Sequence, residues 1–267
     1  MWGRLLACGG LFARLLLSQT FSFALLGDRT GEAVDAIYQQ VWKAAAAEHP
    51  AFVVTVGDTI QGLQDETARA QWQEVQRLLG PYKKLPLYLA PGNHDIWSPL
   101  SEQLFREYAK HPPHYSFDYQ QAHFTILDNS RTEELSTEEL DFLEQDLKAH
   151  AGQPVKFVVS HRPSWLLNVA LRNPRFRLQE LAKQYGVSYV VAGHVHQMLR
   201  FELEGVTYLS MASAGGHLRG SGEYADGWFF GHALVTVRDS KIDFRIEERK
   251  GRVTSPADWG MAGLVKR

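Results

Sequence analysis

Hydrophobic residues are concentrated in five short runs along the chain, and each run gives way, through Gly, Pro or Ser, to a polar side chain. Apolar runs of this length that are bounded by turn residues are typical of buried β-strands. The runs cover residues 21–27, 52–57, 85–90, 155–160 and 188–193. We therefore predict five strands whose carboxyl ends each deliver a polar side chain.

Amphipathic helices are predicted between these strands. Apolar residues recur at helical spacing in residues 32–48, 65–79 and 176–185. Ser136 followed by Glu139 matches a capping box, which predicts a further helix. Strands that alternate with helices favour a parallel sheet that is covered on both faces.

After the last of the five runs the pattern changes to strands joined by tight turns. We predict antiparallel strands at residues 198–203, 206–211, 228–237 and 242–247. An earlier hairpin within residues 115–128 indicates a second, mixed sheet.

The composition of the chain limits which classes of protein and which types of metal site are possible. The chain has 267 residues, 45% of them hydrophobic, which is enough for one large core. A formal net charge of −2 gives no basic footprint for a nucleic-acid partner. Cys8 is the single cysteine, which excludes an intrachain disulfide and thiolate metal clusters. Any metal ion must therefore be held by nitrogen and oxygen atoms.

The first 20 residues differ from the rest, because they are apolar, contain two arginines and lack acidic residues. This composition leaves two alternatives open, a signal segment of an exported protein and a leader on a cytoplasmic one. The segment is too short and interrupted to predict a firm membrane span. We expect one domain over residues 21–250 and a tail over 251–267. The oligomeric state stays open.

Four motifs at the predicted strand ends resemble those of the calcineurin-like metallophosphoesterase family. They are, in chain order, Gly57-Asp58, Gly92-Asn93-His94-Asp95, His161 and Gly193-His194-Val195-His196. The resemblance spans residues 21–250. The family also has an earlier motif, Asp-x-His, which is only half present here, because Thr30 stands two positions after Asp28 in place of the usual His.

The resemblance implies an α/β fold with four layers, α-β-β-α. A parallel-rich mixed sheet and a second, mostly antiparallel sheet would lie between outer helices. It also implies two divalent or trivalent transition-metal ions, Mn, Fe or Zn, for which nitrogen and oxygen ligands are suited. The implied ligands are carboxylate, carboxamide and imidazole groups, namely Asp28, Asp58, Asn93, His161, His194 and His196. Asp58 would bridge the ions, Asp28 and His196 would complete the first site, and the remaining three would form the second.

By the same resemblance, the chain is a phosphoesterase that hydrolyses a phosphomonoester or phosphodiester substrate. A hydroxide that bridges the two ions would attack phosphorus in line, and His94 would protonate the leaving oxygen. Asp95 would orient His94 through its other ring nitrogen.

Two further residues are candidates for contact with the substrate. Arg29, beside Asp28, would point at the phosphate, with a solvated or ion-paired Arg as an equal alternative. His114 lies in a loop before a predicted strand and would contact the substrate at the rim of the cleft. His123 is expected to face a sheet surface and not to bind metal.

Thr30 supports a second hypothesis. A hydroxyl is a poorer metal ligand than imidazole, so the first site would be weak, with water or Glu32 completing its shell. The alternative to an enzyme is therefore a non-catalytic metal-binding or scaffold protein on the same fold.

Overall fold

The computed structural model describes residues 20–254, so the predicted leader up to residue 19 and the tail after residue 254 lie outside the described residues. The strands are β1 (Thr20–Leu26), β2 (Val53–Thr55), β3 (Leu87–Leu89), β4 (Tyr115–Tyr119), β5 (Ala122–Ile126), β6 (Val155–Val159), β7 (Tyr189–Ala192), β8 (Leu199–Leu203), β9 (Val206–Ser210), β10 (Gly231–Arg238), β11 (Lys241–Glu248) and β12 (Val253–Thr254). The α-helices are α1 (Asp35–Ala47), α2 (Asp65–Leu78), α3 (Pro99–Ala109), α4 (Thr137–Ala149), α5 (Leu166–Ala170) and α6 (Arg177–Gln184).

One sheet, sheet A, combines strands from the two ends of the described chain. Its order is β12-β11-β10-β1-β2-β3. β1, β2 and β3 run parallel, whereas β10 pairs antiparallel with β1. Ser22 and Thr236 face each other across the β1–β10 pair although 214 residues separate them along the chain. Sheet A is therefore complete only when both parts of the chain are present.

The other sheet, sheet B, has the order β4-β5-β6-β7-β9-β8. β5, β6, β7 and β9 run parallel, and β4 and β8 add antiparallel edges. The predicted α/β class is confirmed, with two mixed sheets of six strands each. The antiparallel strands predicted for residues 198–203 and 206–211 are confirmed as β8 and β9, and those for 228–237 and 242–247 as β10 and β11. On its other side, β9 pairs parallel with β7.

Aromatic side chains from both sheets fill the space between them. The ring of Phe23 in β1 stacks on Phe52 with ring centroids 5.1 Å apart. The same ring lies edge-on to Phe124 of β5 and Phe157 of β6, at 5.1 and 5.3 Å. Aromatic pairs at such distances contribute about 0.5–1.5 kcal/mol each beyond the burial of their area. This interface aligns the two sheets face to face.

Helices cover the outer face of each sheet. Leu26, on the opposite face of β1 from Phe23, shares a buried cluster with Trp42 of α1. On sheet B, Val158 of β6 lies in a buried cluster with Leu147 of α4. The molecule thus has the predicted four layers, α-β-β-α. Within residues 20–254, no helix is both long and apolar enough to cross a membrane.

Two details of the helices differ from the sequence expectations. Helices α3 and α5 were not predicted, although α3 begins with two known start signals, Ser98 as the N-cap and Pro99 at the first helical position. The capping box of α4 is half formed. The Ser136 hydroxyl accepts a hydrogen bond from the Glu139 amide at 3.2 Å, but the Glu139 carboxylate accepts one from the Asp128 amide instead of reaching back.

Candidate metal centre and active site

Sheet A delivers three of the predicted metal ligands at the carboxyl ends of its parallel strands. Asp28 follows β1, Asp58 follows β2 and Asn93 follows β3. Parallel strands end at the same edge of a sheet, which is where α/β folds build their sites. Side chains that are far apart in sequence therefore become neighbours.

Sheet B delivers the three predicted imidazole ligands in the same way. His161 follows β6, and His194 and His196 follow β7. Because the sheets pack face to face, the ligands from both sheets meet at one edge of the sandwich. The structure thus brings all six predicted ligands together.

His161 is the centre of one group of ligands. Its Nε2 atom lies 3.1 Å from Asn93 Oδ1, 3.1 Å from His194 Nδ1 and 3.3 Å from Asp58 Oδ1. Its Nδ1 atom faces the main-chain carbonyl oxygen of Val56 at 2.9 Å. A carbonyl oxygen only accepts hydrogen bonds, so Nδ1 carries a hydrogen, and Nε2 is the nitrogen that faces the other ligands.

His196 and Asp28 form the other group with Asp58. His196 Nε2 lies 3.1 Å from Asp28 Oδ2, and His196 Nδ1 contacts the carbonyl oxygen of His217. Ligand atoms of Asp28, Asp58 and His196 all lie within 4.8 Å of one another, as do those of Asp58, His161 and His194. Asp58 is the shared member, which is the place predicted for a bridging carboxylate.

Two buried atoms of this cluster test whether it fits metal ions. Asp28 Oδ1 and Asp58 Oδ2 are buried and have no hydrogen-bond partner. A buried carboxylate oxygen that lacks a partner is costly, at roughly 1–3 kcal/mol or more for charged groups. Cations bound by these atoms would remove that cost. The residues therefore fit the metal dependence of the predicted family.

Opposite charges in the cluster shift the pKa values of its members. Burial alone would raise the pKa of Asp58, but the His161 imidazole lowers it well below the usual range. Burial disfavours the charged form of His161, yet Asp58 outweighs this effect and raises the pKa of His161 to about 9. Burial, and then His161, lower the pKa of His194 to about 4. Positive charge is favoured between Asp58 and His161, where a metal ion would replace a proton.

Two motif glycines are required by the close approach of the strand ends. A Cβ atom on Gly92 would lie 2.2 Å from Asp58 Oδ1, and one on Gly193 would lie 2.2 Å from Asp28 Oδ1. Real Cβ atoms do not approach other heavy atoms so closely. Any larger residue at either position would therefore displace a ligand.

Three of the ligands have left-handed backbone conformations. The φ angles are 55° for Asp58, 67° for His194 and 60° for His196. This region costs residues with a Cβ atom roughly 1–2 kcal/mol. Such strain persists only where contacts with the surrounding structure hold the backbone in place, and strained residues are concentrated at functional sites.

His94 lies beside the ligands and not among them. Its amide donates a hydrogen bond to Asp58 Oδ1 at 2.9 Å, and its Nδ1 atom contacts the main-chain carbonyl oxygen of Gln61. The orienting role predicted for Asp95 is wrong. Its carboxylate accepts hydrogen bonds from the amides of Thr59 and Gly92, at 2.8 and 2.9 Å, and so holds the backbone of the two loops. Gln61 takes the predicted position of Asp95 behind His94.

Thr30, at the position of the missing family His, is fully buried. Its hydroxyl donates a hydrogen bond to Gln61 Oε1 at 2.5 Å. Glu32 does not take the place of the missing ligand, because its side chain is 82% exposed and its carboxylate lies 3.5 Å from His217 Nδ1. The first group thus has three protein ligands.

Arg29 forms an ion pair with a residue outside the ligand cluster. Its Nη2 atom lies 2.6 Å from Asp35 Oδ1, and its Nη1 atom donates to the carbonyl oxygen of Thr59 at 3.1 Å. The structure therefore shows the ion-paired alternative for Arg29, and a contact between Arg29 and the phosphate stays a prediction.

His114 contacts helix α4. Its Nδ1 atom lies 2.6 Å from Glu139 Oε1, and its ring stacks on Phe142 with a centroid separation of 4.3 Å. These contacts place its ring against α4. A contact between His114 and the substrate stays a prediction.

Gln61 and Asn129 were missed by the sequence analysis. Asn129, after β5, is buried, and its Oδ1 atom accepts hydrogen bonds from the amides of His161 and Arg162 at 3.1 and 3.0 Å. Asn129 follows a strand, as the predicted ligands do, and this pattern in the sequence could have identified it. Gln61 lies in a loop without such a pattern.

A cleft of about 510 Å³ opens beside His194. Leu166, Leu167 and Leu199 give it an apolar wall. Glu133 and Arg162, which form an ion pair, lie at its polar side. The cleft offers space for an organic group next to the ligand cluster.

A sequence profile of the family described as calcineurin-like phosphoesterase matches residues 22–198. Among curated proteins, the 3',5'-cyclic adenosine monophosphate phosphodiesterase CpdA of Escherichia coli K12 is 28% identical over 201 residues, with 71% of this chain and 70% of the relative covered. The 3',5'-cyclic-nucleotide phosphodiesterase alr5338 of Nostoc is 26% identical over 160 residues, with 57% and 59% covered.

Solved structures share the fold. A purple acid phosphatase, PPD1, from yellow lupin superimposes with a TM-score of 0.67 at 17% identity. The alignment covers 89% of this chain and 53% of the lupin chain, so this chain spans about half of that protein. A dimetal phosphatase from Danio rerio has a TM-score of 0.60 at 12% identity, with 88% and 98% covered.

Proposed function

Because the chain belongs to the calcineurin-like phosphoesterase family, and is thereby a hydrolase of phosphoester bonds, we propose that it is a binuclear metal-dependent phosphodiesterase that cleaves 3',5'-cyclic nucleotides. The observation that carries the proposal is the pair of ligand groups that share Asp58. Two ions so bound would neutralise the phosphate and supply an activated water.

The chain's own residues provide the remaining chemistry. Asp28, Asp58 and His161 are fully buried, so the charges that would face the phosphate are shielded from water. His94 Nδ1 faces the Gln61 carbonyl oxygen and is therefore protonated, which leaves Nε2 as the nitrogen that transfers a proton. We assign His94 as the general acid that protonates the leaving oxygen.

Two observations favour a cyclic nucleotide over other phosphoesters. The curated relatives that match most of this chain are named as cyclic-nucleotide phosphodiesterases. The cleft beside His194 has an apolar wall for a flat base and a carboxylate, Glu133, at its polar side. Ligand sites with this combination of apolar surface and few polar groups suit small organic molecules.

The test is hydrolysis by the purified chain after Mn²⁺ loading. Its substrates are 3',5'-cyclic AMP, bis(4-nitrophenyl) phosphate and 4-nitrophenyl phosphate. We expect the cyclic nucleotide to have the highest kcat/KM. Asp58→Asn should reduce all activities to background, because it alters the ligand shared by both groups.

Asp141→Asn is the matched control, since Asp141 is exposed on α4 and should leave activity and metal content unchanged. A higher kcat/KM for the monoester than for either diester would contradict the assignment to phosphodiesters and leave the hydrolase class intact.

A non-catalytic metal-binding protein is the second candidate, and Thr30 favours it. Because residue 30 is Thr, the first group lacks the imidazole usual in the family, and the Thr30 hydroxyl donates its hydrogen bond to Gln61. Bound Mn²⁺ without turnover of any of the three esters would support this candidate.

A further inference from the structure

We propose that Asp118, His123 and His150 form a second metal site, which binds a zinc ion and is separate from the candidate active site. One ligand atom from each of the three residues lies within 4.8 Å of the others. Asp118 is on β4, His123 on β5 and His150 directly after α4. His123 pairs in register with Lys156 of β6, and Lys156 is five residues before His161, which is roughly 16–17 Å at the rise of a strand.

His123 is held in place by two carboxylates. It is fully buried, with Nδ1 2.7 Å from Asp118 Oδ1 and Nε2 2.8 Å from Asp146 Oδ2. Asp118 and His123 also face each other directly across the β4–β5 pair. The side chain expected to face a sheet surface is therefore enclosed between two acidic groups.

The tautomer of His150 is fixed by its hydrogen bond. Its Nδ1 atom lies 2.8 Å from the main-chain carbonyl oxygen of Asp146. A carbonyl oxygen only accepts, so Nδ1 carries the hydrogen and Nε2 presents a lone pair. Nε2 faces Asp118 Oδ2 at 3.9 Å. Two electron-rich atoms thus face each other at a distance too long for a direct hydrogen bond.

That separation is slightly wider than the one across a zinc ion. Zinc binds imidazole nitrogen at about 2.0–2.1 Å and carboxylate oxygen at about 2.0–2.2 Å, so a nitrogen and an oxygen on one tetrahedral ion lie roughly 3.4 Å apart, and a small rotation of either side chain would bring the two atoms to that distance. The Asp118 carboxylate already uses one oxygen on His123 and turns the other toward His150. Asp118 and His150 are 44% and 31% exposed, which gives water access to a fourth position.

Asp146 supplies the outer contacts that metal-binding histidines need. Its carboxylate pairs with His123 Nε2, and its main-chain carbonyl accepts from His150. The hydroxyls of Ser116 and Thr125 donate to the same carboxylate at 2.7 and 2.6 Å, so its position is fixed. Carboxylate–histidine–zinc arrangements of this kind orient the ring and increase its basicity as a ligand.

Binding requires two changes in the cluster. Zinc must displace the proton between His123 and Asp118, which the two flanking carboxylates stabilise. The rings of His123 and His150 stack with centroids 3.9 Å apart, and they must open toward the ion. The half-exposed ring of His150, at the end of α4, is the one free to turn.

The test is the zinc content per chain after saturation and gel filtration, measured for wild type, His150→Gln and Asp118→Asn. Zinc also binds the candidate active site, so the difference from wild type is the informative quantity. We expect each variant to bind one equivalent fewer. His49→Gln, at an exposed histidine after α1, is the matched control and should keep the wild-type count.

A second measurement does not depend on stoichiometry. Ring ¹⁵N spectra of the Asp58→Asn protein should show zinc-dependent shifts at His123 Nδ1 and His150 Nε2, even with the active site altered. Equal zinc counts in wild type and both variants, or ring nitrogen resonances that do not shift with zinc, would overturn the proposal. The cluster would then hold a proton and no metal ion. Neither result depends on whether the chain hydrolyses phosphoesters.

Discussion

The main-chain carbonyl oxygen of Gln61 contacts Nδ1 of His94, and the Gln61 side chain accepts a hydrogen bond from Thr30. One residue thus holds the ring of the proposed proton donor and also engages the hydroxyl at the position where the family His is replaced. Gln61, a single loop residue, therefore fixes the tautomer of His94 and also holds Thr30, which stands where the family has a metal-binding His.

His94→Ala should reduce kcat by about 10²–10⁴-fold on a substrate with a poor leaving group, because this is the usual contribution of a general acid. The loss should be much smaller for bis(4-nitrophenyl) phosphate, whose leaving group needs little protonation. Metal content should not change, since His94 is outside both ligand groups.

The comparison uses kcat for an alkyl diester and an aryl diester, with metal analysis on the same samples. His49→Ala, at an exposed site, should behave as wild type on both. Equal losses on the two substrates would argue against proton donation by His94.

Thr30→His should increase the Mn²⁺ retained at limiting metal concentration, because an imidazole is a better ligand than a hydroxyl. Thr30→Val removes the hydroxyl without adding a ligand and should retain as much Mn²⁺ as wild type. Both are measured by metal analysis after dialysis. If Thr30→His and Thr30→Val retain the same amount, position 30 does not face the first ion.

Gly193→Ala should lose metal from the first group and destabilise the fold by about 1–3 kcal/mol, as overpacking usually does. The added Cβ would lie 2.2 Å from Asp28 Oδ1. Gly152→Ala is the matched control, since a Cβ there meets no atom within 4 Å. Denaturant unfolding measures the loss of stability, and metal analysis measures the loss of metal. Equal stability of the two variants would contradict the close approach between a Cβ atom at position 193 and Asp28 Oδ1.

His232 should lower the free energy of unfolding as the pH falls below 6.5. Burial lowers the pKa of His232 to about 4, against about 6.5 in an unfolded chain. Between these values the unfolded state binds the extra proton, so the free energy of unfolding decreases as pH falls from 6.5 to 4, by about 3 kcal/mol in total. Above pH 6.5 this residue has no effect.

His232→Gln should flatten this decrease, measured by denaturant unfolding at pH 7.5 and pH 4.5. His49→Gln, at an exposed site, should keep the wild-type difference between the two pH values. A variant that loses as much stability as wild type over this range would show that His232 titrates normally.

The strand ends and the ligand cluster were predictable because both follow from one local rule. Asp28, Asp58 and His161 each come directly after a buried apolar run, and parallel strands bring such positions to one edge. The four layers followed from the alternation of strands and helices together with the family resemblance.

The contacts around the ligands were not predictable, because they depend on which loop lies against which. Asp95 stands next to His94 in sequence, yet its carboxylate binds loop amides and Gln61 supports the ring. Arg29 had two equal alternatives, and its ion pair depends on the position of Asp35 at the start of α1. The periodicity of hydrophobic residues in a sequence does not predict contacts between loops.

The pairing of β1 with β10 has a consequence for biosynthesis. Ser22 and Thr236 are 2.8 Å apart in the folded protein but 214 residues apart in the chain. At about 5–20 residues per second, a ribosome needs roughly 10–40 seconds to travel that distance. Throughout that interval the edge of β1 that later pairs with β10 has no strand beside it, and this is the stage at which chaperone binding would protect the nascent polypeptide from aggregation.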